Sequence, residues 1–214
     1  MKTRCIAPAL VWDLDGTVLD SYPMIVAALE QYYRERGLTI PERTIRERIL
    51  RTSVQTFAAE VERETGLRLE DGMDRYQTIR AGLEQRMDPI PGAADTLRAL
   101  RDRGARCFVL THRGASSFVL LERMGLAPFF EEIVTARDGF PRKPDPAGLR
   151  YLMEKYALDP ARTWYVGDRS LDVDCAAAAG ARSILYRPKD SPVPPTGRED
   201  FVVTALPEIL TLPL

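Results

Sequence analysis

The sequence predicts an α/β fold: a parallel sheet covered by helices on both faces and interrupted early by an all-helical insertion. Three observations lead there. Short apolar runs alternate with longer segments of helical spacing. Between Ser21 and Met87 that alternation stops and no strand-like run occurs. The 214 residues exceed the usual domain of ~150, which fits one domain carrying an insert. At 45% hydrophobic and 29% charged, the chain has material for a core, and disorder, collagen and coiled coil are excluded as descriptions of the whole.

Ala7–Asp13 ("APALVWD"), bounded by Gly16, reads as a buried strand. Tyr22–Arg36, Pro41–Leu50, Ser53–Thr65 and Glu70–Met87 read as four amphipathic helices, punctuated by Gly37, Arg51-Thr52-Ser53 and Gly66. Asp88-Pro89-Ile90-Pro91-Gly92 is the expected return hinge. Pro91-Gly92 opens a helix whose stripe is Ala93, Leu97 and Leu100. Ala105–Leu110 is the second strand, Ala115–Met124 a helix, and Glu132–Thr135 the third strand. Pro146–Tyr156 is a helix with Leu149, Leu152 and Met153 inward, and Thr163–Val166 the fourth strand. Leu171–Ala179 is a helix whose alanines allow close packing on a sheet, and Arg182–Tyr186 is the fifth strand. Ser191–Gly197, with Pro192, Pro194 and Pro195, is a surface loop before a short C-terminal strand and helix.

The charges balance, 30 basic against 31 acidic, a net of −1, so no global attraction to nucleic acid or an anionic membrane is expected. No stretch reaches the ~18 apolar residues of a membrane span. The opening residues lack a secretory pattern, since the apolar run from Cys5 to Trp12 is short and ends in acids. Cys5, Cys107 and Cys175 are odd in number and widely spaced, which fits neither a disulfide framework nor a zinc site, and Cys107 and Cys175 read as buried thiols. The chain is expected to be cytoplasmic, a monomer or homodimer.

In an open parallel sheet, chemistry gathers at the carboxyl ends of the strands. Four such places carry polar residues: Asp13-Leu14-Asp15-Gly16-Thr17, Leu110-Thr111-His112, Arg142-Lys143-Pro144-Asp145-Pro146, and Gly167-Asp168-Arg169-Ser170-Leu171-Asp172. Asp13, Asp15, Asp168 and Asp172 brought together would repel unless a hard divalent cation lay among them, and oxygen-only ligands with room for water suit Mg²⁺. Thr111 and nearby amides can bind phosphate oxygens, and Lys143 can supply positive charge opposite the metal. A carboxylate there can act as a nucleophile, and a second carboxyl two residues on can protonate a leaving oxygen. Lys143 stands out in a chain whose other lysines are Lys2, Lys155 and Lys189 and whose remaining basic residues are arginine. Each motif alone has a plainer reading; Gly-Asp-x-x-x-Asp, for one, could merely cap a helix through Asp168 or Ser170. Their fixed order at strand ends carries the specificity.

"DLDGT" at Asp13–Thr17, "LTHRG" at Leu110–Gly114, "KPDP" at Lys143–Pro146 and "VGDRSLDVDCAAAAG" at Val166–Gly180 resemble the four motifs of the haloacid dehalogenase superfamily, across nearly the whole chain. The resemblance is greatest to its phosphoglycolate phosphatase-like and beta-phosphoglucomutase-like members. It implies a Rossmann-like catalytic core, residues 1–20 and 88–214, with a helical cap at 21–87 that closes over the phosphate. By position, Asp13 would be the nucleophile and Asp15 the general acid and then base. Thr111 would bind the phosphoryl group, and Lys143 would neutralise it and steady Asp13. Asp168 would ligate Mg²⁺ with Asp13 and the backbone carbonyl of Asp15; Asp172 would support the metal through water or hold Lys143. The family's dehalogenases lack the second aspartate of the first motif, so Asp15 points to phosphoryl transfer. His112 stands where Asn is common and would bind phosphate through its backbone N–H. Arg113 and Arg169 could touch a second anionic group but are expected to be solvated.

The expected activity is Mg²⁺-dependent hydrolysis of a small phosphorylated metabolite. A phosphomutase would use the same residues, and a receiver-like signalling module uses similar ones but is a single domain of ~120 residues. In the cap, Arg51, expected between helices with Thr52 and Ser53, or Arg48, would contact the substrate beyond its phosphate. Ile25, Leu29, Phe57 and Val61 would form the cap's own core.

Overall fold

The computed structural model describes residues 7–214, so Cys5 lies outside the described residues. The chain divides into two compact units: one runs to Leu19 and resumes at Pro89, the other is Asp20–Asp88. Among the described residues the first holds six strands, β1 (Ala9–Trp12), β2 (Arg106–Leu110), β3 (Ile133–Val134), β4 (Thr163–Gly167), β5 (Arg182–Tyr186) and β6 (Phe201–Val203). They form one parallel sheet in the order β3-β2-β1-β4-β5-β6, a Rossmann-like α/β arrangement.

β1 is central, and every residue in it is buried, as expected of a strand paired on both edges and covered on both faces. Alternate residues Ala9 and Val11 join Phe108, Leu110 and Tyr165 in one core layer. Leu149, Leu152 and Met153 reach that layer from the helix Ala147–Lys155, and Cys175 and Ala176 from the helix Ser170–Ala179. Small side chains on the latter let it lie close to the sheet. Burial holds the Cys107 and Cys175 thiols up at about 12, so both stay protonated and inert. The C-terminal helix expected after β6 is a 3₁₀ segment, Leu206–Thr211, with Pro207 in its first turn.

The second unit is four helices: α1 (Tyr22–Arg34), α2 (Glu42–Arg51), α3 (Val54–Thr65) and α4 (Met73–Glu84). The expected helix from Glu70 begins instead with a 3₁₀ turn, Glu70–Gly72, but continues unbroken through Gly82. Ile25, Leu29, Phe57 and Val61 are buried as expected, with Tyr32 and Tyr33 packed edge-on at 5.1 Å and Tyr33 against Phe57 at 6.0 Å. Ser53 caps α3 by accepting the Thr56 amide at 2.9 Å. Continuing through the first unit, α5 is Ala93–Asp102, α6 Ser116–Arg123, α7 Ala147–Lys155 and α8 Ser170–Ala179. Among the described residues, no helix is long and apolar enough to cross a membrane.

Candidate active site

The sheet register builds the site. Trp12 pairs with Val109 on one side and Val166 on the other, so the residues after β1, β2 and β4 leave the sheet side by side. Asp13 still donates its amide to the Val166 carbonyl at 2.9 Å, and Thr111 donates to Val134 at 3.0 Å. Both are therefore fixed by backbone pairing before any side-chain contact. Beyond Asp13 the chain turns tightly: the Leu14 carbonyl accepts the amides of Thr17, Val18 and Leu19, with Gly16 at φ +79°, a conformation open to glycine. The turn aims the Thr17 hydroxyl at Asp168 Oδ1, 3.3 Å away.

Asp13, Asp168 and Asp172 are all buried, and each offers a carboxylate oxygen within 4.8 Å of the others'. The Lys143 ammonium lies among them, 3.0 Å from Asp13 Oδ1 and 2.7 Å from Asp172 Oδ1, and 5.2 Å from the centre of the Tyr165 ring. Asp172 is held at its other oxygen too, where Oδ2 accepts the Arg169 amide at 3.1 Å. Gly167 makes room for it: a Cβ there would lie 2.3 Å from Asp172 Cγ. The residue at the N-cap of α8 is thus Arg169, and neither Asp168 nor Ser170 caps the helix.

Burial pushes the Asp13 carboxyl above the usual range; Lys143 opposes this, while Asp172 adds to it. For Lys143, burial works against the charge, but Asp13 and Asp172 outweigh it and the ammonium is held more firmly protonated than usual. Three clustered carboxylates exceed the positive charge of Lys143 and the field of Arg169. A divalent cation bound by hard oxygens fits that imbalance and would oppose the upward push of burial on Asp13.

Thr111 is buried, its Oγ1 accepting the Arg113 amide at 3.1 Å. His112 Nε2 accepts the Lys143 amide at 2.7 Å, so its imidazole ties the β2 loop to the lysine loop. Asp145 accepts the Ala147 amide at 2.9 Å and thereby starts α7. Beside these lies a cavity of about 240 Å³, lined in part by Thr111, His112, Thr135, Phe140, Arg142 and Lys143.

Three expectations, all for arginines, are corrected here. Arg113 is not solvated: its side chain is fully buried and forms an ion pair with Asp15, Nε lying 3.1 Å from Oδ1 and Nη2 reaching the same oxygen. Arg169 is half-buried rather than free in solvent, and its field reaches Asp13, His112 and Lys143. The Asp15 carboxylate stands apart from the acidic triad and faces Arg113, which leaves its backbone carbonyl as the group that could join a metal shell. In the helical unit, Arg51 is the last residue of α2 and exposed, not in an interhelical loop. Arg48 is taken up by Glu60, 2.9 Å from Nε, and by Glu64, 3.3 Å from Nη2. Sequence reasoning missed Arg113 as a partner of Asp15, Thr17 as a support for Asp168, and Gly167 as the space for Asp172.

Residues 10–186 match the family of haloacid dehalogenase-like hydrolases. A phosphoglycolate phosphatase of Pseudomonas putida is 32% identical over 194 residues, spanning 83% of this chain and 68% of that protein. One from Vibrio vulnificus is 30% identical over 222 residues, spanning 96% of this chain and 95% of that protein. A haloacid dehalogenase superfamily hydrolase from Geobacter sulfurreducens has the same fold, with a TM-score of 0.76 at 23% identity over 96% of this chain and 99% of that one. The buried acids that follow β1 and β4 and the lysine of the loop before α7, together with this match over most of its length, make the chain a member of the haloacid dehalogenase-like hydrolases.

Proposed function

We propose that this phosphatase is Mg²⁺-dependent and hydrolyses a small phosphorylated metabolite through an aspartyl-phosphate on Asp13. The observation that carries the reading is the buried cluster in which Lys143 bridges Asp13 and Asp172 beside Asp168. Asp13, Asp168 and the Asp15 carbonyl would hold the metal, with Asp172 behind them. When bound, Mg²⁺ supplies positive charge beside the phosphoryl oxygens.

The chain's own residues carry the rest. An Asp13 carboxylate oxygen bonds to phosphorus as the bond to the leaving oxygen breaks, and Asp15 gives that oxygen its proton. Water then bonds to phosphorus, Asp15 takes a proton from it, and the bond to Asp13 breaks to release inorganic phosphate. Thr111 and the His112 amide would bind the phosphoryl oxygens, and Lys143 would neutralise the charge that gathers on them. A cavity of about 240 Å³ beside these groups is smaller than drug-sized sites and suits a metabolite of few atoms.

Phosphoglycolate is the first substrate to try, since relatives carry that name. Phosphate release with Mg²⁺ should exceed that from p-nitrophenyl phosphate, and EDTA should abolish it. Asp13→Asn should lose turnover by at least ~10³-fold while remaining folded. Retained activity in that variant would overturn the nucleophile assignment. Arg51 enters as a substrate contact outside the phosphate; Arg51→Ala should raise KM for anionic phosphomonoesters, and an unchanged kcat/KM across such a panel removes it.

A further inference from the structure

We propose that Arg113 is the positioning residue of Asp15, holding its carboxyl where both proton transfers occur. This rests on the reading of Asp15 as acid and base given above. Asp15 leaves β1 and Arg113 leaves β2, neighbouring strands of the sheet, so backbone pairing brings the two loops together. The guanidinium reaches Asp15 Oδ1 through both Nε, at 3.1 Å, and Nη2. Its own loop is held on two sides: the Arg113 amide donates to Thr111 Oγ1 at 3.1 Å, and its carbonyl accepts the Ala136 amide at 3.0 Å. Nη1 lies 3.4 Å from the Ser116 hydroxyl.

The exposures are unequal in an informative way. The Arg113 side chain is 0% exposed, whereas that of Asp15 is 23% exposed. Burying a guanidinium is costly unless a carboxylate meets it, so a solvent-facing pair would have been the cheaper arrangement. Here the cation is sunk in the protein and the acid keeps an open side, as a proton donor to an incoming molecule must. The guanidinium never gives up its own proton in this range, so it orients without competing for the transfer. When Asp15 protonates the leaving oxygen, the carboxylate left behind already faces two N–H donors. The same carboxylate then takes the proton of the attacking water. Arg113 does not touch the substrate in either step.

The test compares the full Mg²⁺-loaded chain with Asp15→Asn, Arg113→Met and the double variant, on two substrates. p-Nitrophenyl phosphate expels a stabilised phenolate that needs no proton, whereas phosphoglycolate expels an alkoxide that does. Asp15→Asn should lose phosphoglycolate turnover while a burst of p-nitrophenol survives. Arg113→Met should lower kcat on phosphoglycolate by about 10- to 100-fold with the burst rate changed less than ~3-fold. Adding it to Asp15→Asn should cost nothing more, because it acts through that residue. Equal losses on both substrates, or additive losses in the double variant, would overturn the role of Arg113. Absence of the substrate bias in Asp15→Asn would instead overturn the reading of Asp15. If Arg113→Met fails to fold, Arg113→Lys, which keeps the charge and loses the fork, is read by the same criteria.

Discussion

The imidazole of His112 is half-buried against the amide of Lys143, and burial together with the fields of Lys143, Arg142 and Arg169 pushes it down to about 3. An unfolded histidine titrates at ~6.5, so between these values the unfolded chain binds a proton that the native chain does not. The native state therefore loses stability as pH falls through that window. The unfolding temperature of the wild type should drop more steeply from pH 7 to pH 5 than that of His112→Asn; parallel curves would show that the imidazole is not held neutral. Lys143 obeys the opposite logic, being buried between two acids that keep it charged. Lys143→Met leaves Asp13 and Asp172 without their cation and should cost ~3–5 kcal/mol in urea denaturation as well as activity. At this scale the sequence singled out Asp13, Asp168, Asp172 and Lys143 as candidates by type and order, and the fold gathers them. Arg113 escaped it, because one arginine among many in a loop carries no mark of burial; the only signal was an acid at Asp15 that would need a cation near it.

β4 and α8 illustrate what an element adds. The strand ends on Gly167, and the helix starts at Ser170, so Asp172 falls in its first turn, where its carboxylate takes the Arg169 amide and the Lys143 ammonium together. The absent side chain at position 167 is part of that geometry. Gly167→Ala would press a methyl group into Asp172, and should lower stability by ~1–3 kcal/mol and reduce kcat, since the lysine loses its anchor. An unchanged melting temperature and rate would show that Asp172 can move aside at no cost. Strand positions were legible because buried central strands are short, apolar and flanked by turn residues, as in Ala9–Trp12 and Arg182–Tyr186. Helix ends were less so. The Glu70 turn is 3₁₀ and Arg51 extends α2, because hydrophobic spacing marks a helix's face better than its last turn.

Across the whole molecule, the acids of the site come from sequence positions as distant as Asp13 and Asp172, and meet only because β1 and β4 are neighbours in the sheet. A ligand that binds this assembled cluster and not the unfolded chain must stabilise the fold. Mg²⁺ at 100 times its dissociation constant should add about 2.7 kcal/mol, seen as a rise in melting temperature that Asp168→Asn abolishes. No rise in the wild type would remove the metal from the proposal. The sequence alone determined the alternation of strand and helix, the helical insertion and the order of the four motifs, since these depend on local spacing and residue type. Only the tertiary structure decided that Asp172 holds Lys143 and that Arg113 serves Asp15. Such partners are chosen by strand order and burial, which bring together side chains that no local pattern in the chain connects.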